Sequence, residues 1–173
     1  MAEERTIDVN TTAVLIMDFQ NDIVNSVAQD PPGVVQKAAQ VLDLARHRNI
    51  PIIHIVHKAG RFAEPSPGGE IHTGVTPAPG EKVISKTRAG PFSTTGLDVL
   101  LREMGIVTLV MMGVATSGCV LSSVRWAVDV DYKFVVVSDA CSDADPEVHR
   151  VLTEKVYPRQ GTVMTTQEFL QAI

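Results

Sequence analysis

The chain has only two cysteines in 173 residues, and Cys119 has the better setting for chemistry. It closes the run Gly113-Val114-Ala115-Thr116-Ser117-Gly118-Cys119, small residues lying between an apolar stretch and a helical pattern that begins near Val120. A thiol at a helix N-terminus meets backbone N–H groups and the positive end of the helix dipole, both of which favour thiolate. Small residues before it leave N–H groups free to hold an oxyanion. Two other reactive side chains stand where apolar runs stop: Asp18 after Ala13 to Met17, and Lys86 after Val83 to Ser85. Asp18 could take the thiol proton and return it to a leaving nitrogen, while the Lys86 ammonium would lower the thiol pKa, so acyl transfer is available without a histidine. By position alone, a buried cysteine that merely packs remains the competing reading. Cys141 is expected to be a packed or peripheral thiol, because Asp139 and Asp143 oppose thiolate there and suit turns or helix starts.

The elements that would gather these residues are short Val- and Ile-rich runs alternating with longer segments of helical period, the pattern of a parallel sheet covered on both faces. The runs are Ala13 to Met17, Ile52 to Val56, Val83 to Ser85, Val107 to Met112, Phe134 to Val137 and, weakly, Thr162 to Met164. Val34, Val35, Ala38, Val41, Leu42 and Ala45 recur at helical spacing, as do Leu97, Leu100, Leu101 and Met104. Pro146 suits a first helical turn, and Thr165 with Glu168 resembles a capping box for a last helix. The reading is an α/β domain spanning the whole chain, with about six strands and five helices. From Lys58 to Glu81 the chain carries Pro65, Pro67, Pro77 and Pro79 among several glycines. A long loop is expected there, either a lid, a subunit contact or a plain surface excursion.

In open parallel sheets ligands bind beyond the carboxyl ends of the strands, the edge to which Asp18, Lys86 and Cys119 all belong. Two other uses of that edge are disfavoured. Asp18-Phe19-Gln20-Asn21 has no glycine for a dinucleotide pyrophosphate, and Cys119 stands where a phosphate loop requires Lys. A net charge of -5 disfavours a nucleic-acid surface. Met1-Ala2-Glu3-Glu4-Arg5 lacks the layout of a secretory signal, and no apolar run approaches the roughly 20 residues that cross a bilayer. A cytoplasmic protein with free thiols and no membrane partner is expected.

The chain resembles the isochorismatase-like cysteine hydrolases, which include nicotinamidases and N-carbamoylsarcosine amidohydrolases. The resemblance is carried by the strand ending in Asp18-Phe19-Gln20-Asn21-Asp22, by Lys86 followed by Pro91-Phe92-Ser93-Thr94-Thr95-Gly96-Leu97, by Gly113 to Val120, and by Ser138-Asp139-Ala140. It implies a three-layer α/β/α sandwich with strand order 3-2-1-4-5-6, a catalytic triad of Asp18, Lys86 and Cys119, an oxyanion hole from the backbone N–H groups of Ala115 and Cys119, and a cis peptide between Val114 and Ala115. It also implies a homo-oligomer. Candidate substrate contacts are Phe19, Arg88, Phe92, Thr116 and Trp126, with an exposed Arg and core aromatic residues as the alternative reading. Nicotinamidases carry a metal-binding Asp-x-His after strand two, but the chain has His57-Lys58-Ala59-Gly60-Arg61 there. His54 and His57 would point to opposite faces of a strand, so neither a metal nor another cofactor is expected. True isochorismatases lack the cysteine, so Cys119 favours cleavage of a C–N bond in a small amide or ureide through a thioester. The alternatives are hydrolysis of an isochorismate-like enol ether with Asp18 as acid, and a member that binds small molecules without turnover.

Overall fold

The computed structural model describes residues 7–173. Met1 to Arg5, read above for a leader, lie outside the described residues. Six strands form one parallel sheet in the order β3-β2-β1-β4-β5-β6. They are β1 (Thr12–Met17), β2 (Ile52–His57), β3 (Lys82–Lys86), β4 (Thr108–Val114), β5 (Lys133–Ser142) and β6 (Thr162–Met164). The α-helices are α1 (Asn21–Val27), α2 (Pro31–His47), α3 (Leu97–Glu103), α4 (Leu121–Asp129), α5 (Pro146–Val151) and α6 (Thr166–Ala172). The class and strand order are those expected.

Every residue of β1 is buried, as is all of β4 except its first. Central strands of a parallel sheet need an apolar side chain on both faces, which is why these runs are continuous rather than alternating. Helices α2 and α6 pack on each other across β5. Helix α3 is tied to the segment after α4, where the Tyr132 hydroxyl donates to Asp98 Oδ1 at 2.9 Å. Edge strand β3 leaves Lys82, Val83 and Ser85 exposed and buries Lys86. Asp145 caps α5 ahead of Pro146, and Thr165 and Glu168 form the expected capping box.

Two elements differ from the sequence reading. Helix α1 follows directly after the Asp18 turn, where no helix was expected; its seven residues bury only Val24, which is too little apolar period to stand out. Strand β5 continues through Ser138, Asp139, Ala140 and Cys141, so these residues lie within a strand rather than after one. An irregularity between the Met111 and Gly113 pairings lets β5 stay beside β4, Met111 facing Val136 and Gly113 facing Cys141. The stretch from Lys58 to Glu81 has no strand, but it is anchored. Short 3₁₀ turns bury Phe62, Gly69 and Val75, the Gln20 side chain bonds the main chain of His57 and Gly69, and Ile71 bridges Gln20.

Candidate active site

The reversal of the sheet between β1 and β4 opens the crevice in which Asp18 and Cys119 meet. Asp18 follows β1 with φ of 58°, a left-handed conformation that Asp tolerates better than most residues. Holding a non-glycine residue there costs on the order of 1–3 kcal/mol, and such strain gathers at functional sites. The Asp18 amide donates to Ile55 O at 2.9 Å, fixing the turn against β2.

Lys86 ends β3, two strands away from β1. Strands lie about 4.8 Å apart, so only a long side chain can cross the end of β2 to reach Asp18. Lys86 does so with 1% exposure: its Nζ donates to Asp18 Oδ2 at 2.8 Å and to Arg88 O at 3.1 Å. Asp18 Oδ1 is buried without a hydrogen-bond partner of ordinary geometry, and Cys119 is among the groups acting on that carboxyl.

Cys119 is the fourth residue of a single π turn, Thr116–Val120, that leads into α4. Its Sγ lies 3.6 Å from Ala115 O and 4.0 Å from Met17 O, and the residue is 2% exposed. The turn uses the amides of Gly118 and Val120 on Ala115 O and that of Ser117 on Asp143 Oδ2. The two amides expected to bind an oxyanion, those of Ala115 and Cys119, are not among these. The Val114–Ala115 peptide is cis. Gly113 was read only as part of the motif, yet it makes room for the sulfur: a Cβ there would lie 2.9 Å from Cys119 Sγ and 3.0 Å from Met17 O.

The electrostatics correct one expectation. Lys86 does pull the Cys119 thiol down, as expected, but burial first and then the Asp18 charge outweigh it and push the thiol well above the ordinary range. Burial likewise raises Asp18, against the charge and hydrogen bond of Lys86. Burial thus favours the protonated form of both groups, with Lys86 opposing it at each. Cys141 is buried, and burial pushes its thiol up to about 12, in keeping with a packed role. Asp139 accepts from the Thr166 amide and hydroxyl at the start of α6, and Asp143 from the Ser117 amide, so both serve turns and helix starts.

The other candidates divide. Phe19 is buried beside Asp18, and Arg88 reaches the site through its carbonyl while its guanidinium stays exposed. Phe92 belongs to the core, stacked on the partly exposed Trp126 at 6.0 Å and tilted against Tyr132 at 6.3 Å. Thr116 is fully buried, with its Oγ1 2.7 Å from His149 Nδ1. Phe92 and Thr116 thus have their surfaces occupied by the protein itself, because aromatic packing and a buried hydroxyl each claim a partner. His57 was passed over. It ends β2 in register with Lys86, its ring meets Phe62 edge-on at 6.1 Å, and its pKa is lowered by burial and then by the Lys86 charge. Its place at the end of β2, on the same edge, was the available signal. Among the described residues no group of three or more His, Cys, Asp or Glu side chains is arranged to hold a metal ion. His54 is buried against Glu81, Nε2 to Oε2 2.8 Å, and His72 Nδ1 accepts from the Gly74 amide.

The sequence pattern of the isochorismatase domain matches residues 12–168. The chain belongs to the isochorismatase family. Among its relatives in that family is the uncharacterised isochorismatase family protein YwoC of Bacillus subtilis (strain 168), 32% identical over the full length of both chains. The maleamate amidohydrolase of Pseudomonas putida (strain KT2440) is 29% identical over 93% of this chain and 86% of its own. An isochorismatase family protein from Burkholderia thailandensis superposes with a TM-score of 0.86 at 30% identity, covering 96% of this chain and 97% of its own. This isochorismatase-family member has the Asp, Lys and Cys of the crevice on three different strand ends, so its site depends on the sheet rather than on any one loop.

Proposed function

We propose that the protein is a cysteine amidohydrolase that cleaves a C–N bond in a small amide or ureide. The observation that carries this reading is the buried contact between Lys86 Nζ and Asp18 Oδ2 at 2.8 Å, with the Cys119 thiol beside the same carboxylate. The kinship with a maleamate amidohydrolase supports it.

In the proposed cycle the Cys119 thiol gives its proton to Asp18 as Sγ bonds to the substrate carbonyl carbon. The carbonyl π pair moves to oxygen, which the Ala115 and Cys119 amides stabilise. Asp18 returns the proton to the leaving nitrogen as the C–N bond breaks, releasing ammonia or an amine and leaving a thioester. Water then attacks the thioester, its proton passing to Asp18 and on to the departing sulfur, and a carboxylic acid is released. The charge and hydrogen bond of Lys86 favour the Asp18 carboxylate in a site where burial works against charge. The test is ammonia release across a library of small amides and ureides with Cys119→Ala as the blank. Release by the wild type alone supports the reading, and equal release by the variant overturns it.

A further inference from the structure

Three hydrogen bonds join the Cys119 turn to a segment with no part in the chemistry proposed above. The Ser117 amide donates to Asp143 Oδ2 at 2.7 Å, Thr116 Oγ1 and His149 Nδ1 are 2.7 Å apart, and the Tyr157 hydroxyl donates to Thr116 O at 2.7 Å. The partners come from successive points of one stretch: Asp143 just after β5, His149 in α5, and Tyr157 just after the irregular turn Leu152–Val156. Thr116 and Tyr157 are fully buried and Asp143 nearly so. Breaking such a bond leaves a desolvated group unpaired, so the geometry is held firmly.

We propose that Asp143, His149 and Tyr157 are positioning residues that clamp Thr116 and Ser117 and so aim the flanking amides of Ala115 and Cys119 at the oxyanion; this rests on the cysteine hydrolase reading. An oxyanion site works when its donors need no reorganisation as charge develops. A single π turn is an irregular, uncommon geometry, and Gly118 within it is conformationally free, so outside support matters. The clamp supplies that support from outside the turn, at the two residues that follow Ala115.

Two reactions of Cys119 separate positioning of the amides from general damage. With p-nitrophenyl acetate the sulfur bonds to the carbonyl carbon, negative charge develops on the carbonyl oxygen, and p-nitrophenolate leaves with the C–O pair. With iodoacetamide the sulfur displaces iodide at a saturated carbon and no oxyanion forms. Both are read on the Cys119 peptide by mass, and the first also by p-nitrophenolate release. His149 borders a cavity of about 400 Å³, which lets His149→Leu be accommodated. His149→Leu and Tyr157→Phe are each expected to slow acetylation about 10- to 100-fold while alkylation stays within about threefold. His149→Asn, which keeps a polar atom near the Nδ1 position, is expected to recover acetylation to within about threefold of wild type. An unchanged ratio of acetylation to alkylation in both His149→Leu and Tyr157→Phe, with the wild type acetylated on Cys119, overturns the clamp and leaves the hydrolase reading standing. A wild type alkylated but never acetylated on Cys119 overturns that reading and the clamp with it.

Discussion

Gly113→Ala is a small change with a large expected consequence. The added Cβ would sit 2.9 Å from Cys119 Sγ, 3.0 Å from Met17 O and 3.1 Å from Met17 Cβ, whereas ordinary contacts of this kind begin at 3.4 Å. Met17 is the register partner of Gly113 on β1, so the backbone there cannot yield without parting the two central strands. Relief must come from the sulfur, which would retreat by about 0.5 Å, or from the strands. Overpacking of this kind costs about 1–3 kcal/mol. At about 2–4 °C per kcal/mol for a chain of this size, the melting temperature should fall by about 2–12 °C. Misplacement of a reacting atom by about 1 Å can cost about 100-fold in rate, so half that displacement should cost about tenfold in kcat. Gly118→Ala, in the same turn, meets nothing nearer than Ala115 Cβ at 3.7 Å and should leave the melting temperature within about 2 °C. Calorimetry and ammonia release on the amide with greatest turnover provide the assay. A Gly113→Ala protein with wild-type kcat and melting temperature would refute the packing argument.

The remaining expectations concern charge. The proposed cycle requires the Asp18 carboxylate, and burial holds its pKa above the ordinary 3.8, so the pH profile of kcat/KM should lose activity on the acid side already above that value. Asp18→Asn should cost about 10²- to 10⁴-fold in kcat. Lys86→Met keeps length and apolar bulk but removes the opposing charge, and the acid limb should move to higher pH; an unmoved limb would deny Lys86 its electrostatic role. Glu81, far from the chemistry, tests a structural pair. Burial alone would raise its pKa, but hydrogen bonds from Arg46, the Ala78 amide and His54 outweigh that and pull it from the ordinary 4.5 to about 2. The stabilisation is present above about pH 4.5 and lost as pH falls towards about 2, amounting to about 2–3 kcal/mol. Denaturant midpoints of wild type and Glu81→Gln should differ above pH 5 and converge towards pH 2.

The parallel sheet and its strand order were legible because apolar β-branched runs and amphipathic helices alternate, and because Asp18, Lys86 and Gly113 to Cys119 resemble a family in that order. What sequence could not carry is distance and burial. The raised Cys119 pKa follows from 2% exposure and from the carboxylate beside it, neither of which is local in sequence. Asp143, His149 and Tyr157 lie 24 or more residues beyond Cys119 and touch its turn only because β5 runs next to β4. Phe92 was readable as an aromatic residue near the site, but its stacking on Trp126 depends on how the loop after β3 meets α4.

The central claim, that Cys119 becomes acylated during turnover, is tested most directly by quenching the enzyme in acid while it hydrolyses an amide and mapping the adduct by mass spectrometry. The account predicts the substrate's acyl group on Cys119, absent from Cys141 and absent when hydrolysis has run to completion. Steady turnover with an unmodified Cys119 peptide under conditions that preserve thioesters, together with a fully active Cys119→Ala protein, would contradict it.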